Sequence, residues 1–111
     1  MRALALILLL AAPAQAASPA EVYRLYCSQC HGTLGTGAGI NSAALKVQPR
    51  DHTSAADMGK LTDADLFKAV RDGGVAVGKS PQMPPFGGAL GDGEIKSLVV
   101  HLRGLCRCKG P

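Results

Sequence analysis

Cys27-Ser28-Gln29-Cys30-His31 sets two thiols three residues apart, with an imidazole directly after the second. On a helical end, residues three apart face the same way, so both thiols can meet one planar group. Each can add to one vinyl group of a single haem and form a thioether. His31 then lies within reach of the iron as its proximal ligand. The spacing matches C-x-x-C-H, the attachment signature for a c-type haem, and it occurs once. The expectation is therefore one covalently attached haem c, bonded at Cys27 and Cys30. Two other chemistries compete for these residues. A redox dithiol also uses C-x-x-C, but in a βαβ setting that this sequence lacks. A zinc site would need Cys106 and Cys108 as its other half, and their C-x-C spacing is wrong for a zinc ribbon.

The sixth position on the iron points to Met83. It sits in Ser80-Pro81-Gln82-Met83-Pro84-Pro85-Phe86, a stiff segment in which prolines hold a soft thioether in place. His/Met pairing is a known ligation for cytochromes c and raises the reduction potential. Met58 is the rival sulfur, but Asp57-Met58-Gly59 has no rigid frame, and packing explains it better. His52, in Pro49-Arg50-Asp51-His52-Thr53, reads as a loop residue near the haem rim rather than a ligand. His101 lies beside the apolar stripe of a helix, where partial burial is the ordinary expectation.

Three helices must position these groups. The first opens at Ser18-Pro19-Ala20-Glu21, a capping-box spacing with Pro at the first helical position, and runs toward Cys30. The second begins behind Thr62 as N-cap, with Leu66, Phe67 and Val70 on one face, and ends at Asp72-Gly73-Gly74. The third runs from about Asp92 to Arg103 with Gly104 as its stop. There Ile95, Leu98, Val99 and Leu102 form a complete amphipathic stripe. Between them lie 32–50 and 73–91, rich in Gly and Pro and without sustained strand character; a short helical turn fits Asn41 to Lys46. Loops this long in a small domain need something inside to organise them. The fold class expected is all-α, with about three main helices around one covalently bound haem.

Composition agrees. The 111 residues suffice for one domain, with no Trp, two Tyr and two Phe to fill its core. A buried macrocycle would supply the missing bulk. Met1-Arg2, the apolar run Ala3 to Ala12 and Ala14-Gln15-Ala16 read as a signal peptide over 1–16. The run is shorter than the ~20 residues that span a bilayer, so no membrane span is expected after cleavage. The expected location is the periplasm, with a haem domain over 17–105 and a cysteine-containing tail over 106–111. The formal charge of +4 falls to +3 without Arg2, leaving 11 basic residues against 8 acidic. The basic residues are scattered and aromatics are few, which argues against nucleic-acid binding. Cys106 and Cys108 leave three options open: a bridge to each other, a disulfide-linked dimer through either one, or free thiols.

Tyr23-Arg24-Leu25-Tyr26-Cys27-Ser28-Gln29-Cys30-His31-Gly32, Pro49-Arg50-Asp51, the capped second helix, Met83-Pro84 and Leu98-Val99-Val100-His101-Leu102-Arg103 resemble the class I cytochrome c family. The similarity is strongest to its small bacterial members and to the cytochrome domains of cbb3-type oxidase subunits. It spans roughly Ala20 to Leu105. The resemblance implies a mostly helical fold whose first and third helices cross over the haem. It also implies an exposed haem edge that passes electrons to redox partner proteins, and a contact from Arg50 to a haem propionate. In two places the sequence departs from the family. His101 stands where an aromatic usually precedes the Leu of the last helix, and Pro19-Ala20 stand where a small residue is expected.

The function this implies is a periplasmic monohaem electron carrier rather than an enzyme. A di-haem peroxidase would need a second C-x-x-C-H, and sensor-type cytochromes c′ carry the motif near the C-terminus. The alternative is a haem c subunit bound permanently to a dehydrogenase or terminal oxidase.

Overall fold

The computed structural model describes residue 7, residues 9–13 and residues 15–111. The signal-peptide expectation for 1–16 lies partly outside these residues. Within them the chain is all-helical, with five α-helices: α1 (Pro19–Tyr26), α2 (Ser28–His31), α3 (Ala55–Met58), α4 (Asp63–Asp72) and α5 (Asp92–Cys106). Two 3-10 turns, Ser42–Ala44 and Gly74–Val77, interrupt the connections. None of these helices is long and apolar enough to cross a membrane.

The caps follow the local chemistry. The Ser18 hydroxyl accepts the Glu21 N–H at the start of α1, and Pro19 takes the first helical position, where no N–H is needed. Thr62 and Asp65 form a reciprocal capping box on α4. At α5 the Glu94 carboxylate accepts the Gly91 N–H. Gly73, at φ 85°, ends α4 as expected.

Two boundaries differ from expectation. The first helix does not run unbroken to Cys30; the backbone turns at Cys27 (φ −117°, ψ −34°) and restarts as α2. The last helix passes through Gly104 and stops at Arg107, which adopts the left-handed φ of 50°. A glycine mid-helix weakens the element by about 1 kcal/mol but does not break it when both flanks are packed. Leu102 and Cys106, on either side, are both buried.

The core lies where α1 and α4 pack on α5. Val22 and Tyr23 from α1, Leu66 and Val70 from α4, and Ile95, Leu98, Val99 and Leu102 from α5 form one cluster. Met58 joins it with no exposed surface, so the rival sulfur is core filler, as its setting suggested. The α1–α5 crossing is made in part by Tyr23 against His101, with ring centroids 5.1 Å apart. An imidazole thus occupies the aromatic's place in that helix. The core buries few large rings, and Leu34, Ile40, Val47 and Val75 in the loops stay mostly exposed.

Cys106 and Cys108 are joined to each other by a disulfide, with Cα atoms 5.2 Å apart. Both tail sulfurs are therefore used within one chain. This pairing gives the disulfide-linked dimer no support, because such a link needs a tail thiol left over.

Candidate functional site

The site is built on one helical turn. The Cys30 and His31 N–H groups both point back to the Cys27 carbonyl, at 3.2 and 2.9 Å, so the three residues share a single turn. Cys27 and Cys30 are free and half-buried. Burial, with Cys30 beside it, pushes the Cys27 thiol up to about 11. A thiol-exchange enzyme needs the opposite, a thiol lowered toward thiolate. The direction of this shift is opposite to the one that the redox-dithiol reading of C-x-x-C needs.

The hydrogen bond on the His31 ring comes from backbone rather than from a side chain. The His31 Nδ1 lies 2.9 Å from the Arg50 carbonyl, which can only accept, so the bonded nitrogen carries the proton. Burial lowers the affinity of His31 for a second proton, and the Arg50 bond opposes that more weakly. The ring is then neutral with its lone pair on Nε2, the form that can bind a metal. The Arg50 loop reaches His31 because Gly37 lets two strands of chain pass closely. Its N–H donates to the His31 carbonyl at 2.7 Å, and its φ is 89°. A Cβ there would sit 2.7 Å from the Pro49 carbonyl oxygen, so only glycine fits.

Met83 is held by a different part of the molecule. Its carbonyl accepts the Gly74 N–H at 2.9 Å, tying the proline-rich segment to the turn that follows α4. A Cβ on Gly74 would collide with the Ser80 carbonyl, which makes that turn a glycine site too. The Phe86 N–H donates to the Val70 carbonyl at 2.9 Å, and the Phe86 ring meets Tyr26 edge-on at 6.1 Å. The Lys46 N–H donates to the Gln82 side chain at 2.9 Å, bridging the loop after α2 to the Met83 segment. Met83 itself is half-buried. The structure thus gathers Cys27, Cys30 and His31 on one turn and holds Met83 on a separate loop fastened to α4.

The residues present fit a c-type haem. Two free thiols on one turn, a neutral imidazole with Nε2 unbonded, and a thioether on a fixed loop form the donor set that such a group requires.

Sequence reasoning missed two features. His52 does not simply lie near a rim: its ring stacks on His31, with centroids 4.1 Å apart and planes 18° apart. Arg50 reaches His31 through its carbonyl rather than its side chain. A backbone acceptor leaves no mark in the side-chain pattern, and a stack between rings 21 residues apart has no local spacing to reveal it.

Residues 14–102 match the family described as "Cytochrome C oxidase, cbb3-type, subunit III". Among solved structures, the "KustC0563 c-type cytochrome" is similar at a TM-score of 0.65 and 26% identity, covering 80% of this chain and 98% of that one. A chain of the Kuenenia stuttgartiensis reducing HAO-like protein complex Kustc0457/Kustc0458 shares the fold at a TM-score of 0.62 and 24% identity. That match covers 78% of this chain and 40% of that one. No curated protein matches the chain. Its all-helical fold, its C-x-x-C-H turn and the family match agree: the chain belongs to the cbb3-type oxidase subunit III family of class I c-type cytochromes, electron carriers with covalently bound haem c.

Proposed function

We propose that this chain is an exported, monohaem carrier of single electrons, with thioethers at Cys27 and Cys30 and iron held between His31 Nε2 and Met83 Sδ. The observation that carries this is the Nδ1 bond of His31 to the Arg50 carbonyl, on the same turn as two free thiols. When bound, the haem supplies a reversible one-electron couple. The chain's own residues do the rest. Arg50 fixes the proton on Nδ1 and leaves Nε2 for the metal. The Gly74 contact and the prolines hold the Met83 segment, so that Met83 would be the second protein ligand to the iron. Held by His31 and Met83, the haem would supply electron transfer without an open site for substrate. Lys46, Lys60, Lys68 and Lys79 are exposed, and they would offer a weakly basic rim to an acidic redox partner. Residues 1–16 act as the export signal, which delivers the haem domain to the periplasm.

A second reading is favoured by the family description, which names an oxidase subunit. The same haem site would then serve as a fixed relay in a complex. A protein that purifies from its source as a monomer supports the diffusible carrier; co-purification with a stable partner supports the relay.

Intact mass of the purified protein tests the attachment. The expected mass is that of the chain from about Ala17 plus one haem, resistant to acid extraction. Cys27→Ala and Cys30→Ala should each retain one thioether, and the double variant should lose the haem on extraction. A wild-type mass without haem, or with two, would refute the proposal.

A further inference from the structure

The His31 ring carries two restraints, and only one is a hydrogen bond. The bond to the Arg50 carbonyl fixes where Nδ1 points but leaves the ring free to roll about that direction. The flat stack of His52, 4.1 Å away and inclined by 18°, opposes the roll. His52 is itself held by two residues, Gly35 and Tyr23. Its N–H donates to the Gly35 carbonyl at 2.7 Å, and its Nδ1 shares a hydrogen bond with the Tyr23 hydroxyl at 2.9 Å. The Tyr23 ring meets it at a steep angle, 66°, with centroids 5.8 Å apart. Tyr23 is buried in the α1–α5 crossing against His101, so the clamp is anchored in the core.

We propose that His52, clamped by Tyr23, is a positioning residue that sets the plane of the His31 ring. The inference rests on His31 being the proximal ligand, as proposed above. Neighbours of a ligating imidazole commonly fix its orientation through its second nitrogen. Here a ring face adds a restraint that the nitrogen alone does not give. The plane of the ligating imidazole, together with the orientation of the methionine, would set how unpaired spin spreads over the four sides of a ferric haem. The ring methyl resonances in the proton spectrum report that spread directly.

The experiment is proton NMR of the ferric haem-loaded protein for wild type, His52→Ala, His52→Phe and Tyr23→Phe. His52→Ala should change the order or spacing of the shifted haem methyl resonances. His52→Phe keeps a flat ring against His31 and should return most of the wild-type pattern. Tyr23→Phe loosens the clamp and should move the pattern less, in the same sense as His52→Ala. A His52→Ala protein with wild-type methyl positions overturns the proposal, and so does a His52→Phe pattern displaced as far as that of His52→Ala. If His52→Ala does not mature, Tyr23→Phe decides, and an unmoved pattern there overturns it. Normal shifted His31 protons alongside either failure would leave the ligation standing and reject the stack alone. A wild-type spectrum without shifted His31 protons would reject the ligation itself.

Discussion

Arg103 shows how much one side chain can close in a domain with a thin core. From α5 its guanidinium reaches the Asp63 carboxylate at 2.8 Å, the Met58 carbonyl at 2.8 Å and the Leu61 carbonyl at 2.6 Å. Its side chain is only 13% exposed, whereas Asp63 is 72% exposed, so the carboxylate is the lesser partner. The Leu61 carbonyl matters more, because an acceptor left without a donor costs the desolvation of that group, whereas the Met58 carbonyl keeps the Leu61 N–H at 3.2 Å. Arg103→Ala should lower the free energy of unfolding by about 2 kcal/mol in denaturant titration, with haem content unchanged. Arg103→Lys should recover only part of it, since an ammonium cannot span three acceptors as a planar fork does. Wild-type stability in Arg103→Ala would contradict this account. The exposed Lys60–Asp57 pair, at 3.9 Å, adds little by comparison.

Among the elements, α4 depends most visibly on its cap. Thr62→Ala removes a hydroxyl that accepts the Asp65 N–H and should cost about 1 kcal/mol. The Asp65 carboxyl is held below its ordinary value of 3.8, first by the Thr62 N–H and then by the Thr62 hydroxyl. A carboxyl lowered by folding stabilises the fold above its unfolded value and loses that contribution as acid protonates the folded form. The stability gap between wild type and Asp65→Asn should therefore be full above about pH 4 and shrink below it. Thermal melts across that range check it, and a gap independent of pH would contradict it. This cap, the Gly73 stop and the stripe of α5 were legible in the sequence because each is set by residues within one or two turns. The break at Cys27 and the passage through Gly104 were not. Cys27 carries no breaker, and Gly104 looks like a stop until the packing of Leu102 and Cys106 is known. The four-residue α3 and the turn Gly74–Val77 are too short to show a period, and long-range contacts hold them.

For the whole molecule, the central question is how groups far apart in sequence would come to serve one iron. Spacing singles out Cys27, Cys30 and His31 as the proposed haem residues, and the prolines around it single out Met83. What the spacing could not show is the scaffolding between them. The chain from Gly32 to His52 folds back so that a carbonyl and an imidazole hold His31. The Lys46–Gln82 bond then ties that loop to the segment carrying Met83. Such closures join residues 19 and 36 positions apart, and no local pattern encodes them. The measurement that tests the account most directly is the optical spectrum of the oxidised protein, wild type and Met83→Ala. The account predicts a weak long-wavelength sulfur-to-iron band in the wild type that vanishes in Met83→Ala while the haem stays attached. A bound haem without that band in the wild type, or a band that survives Met83→Ala, would contradict it.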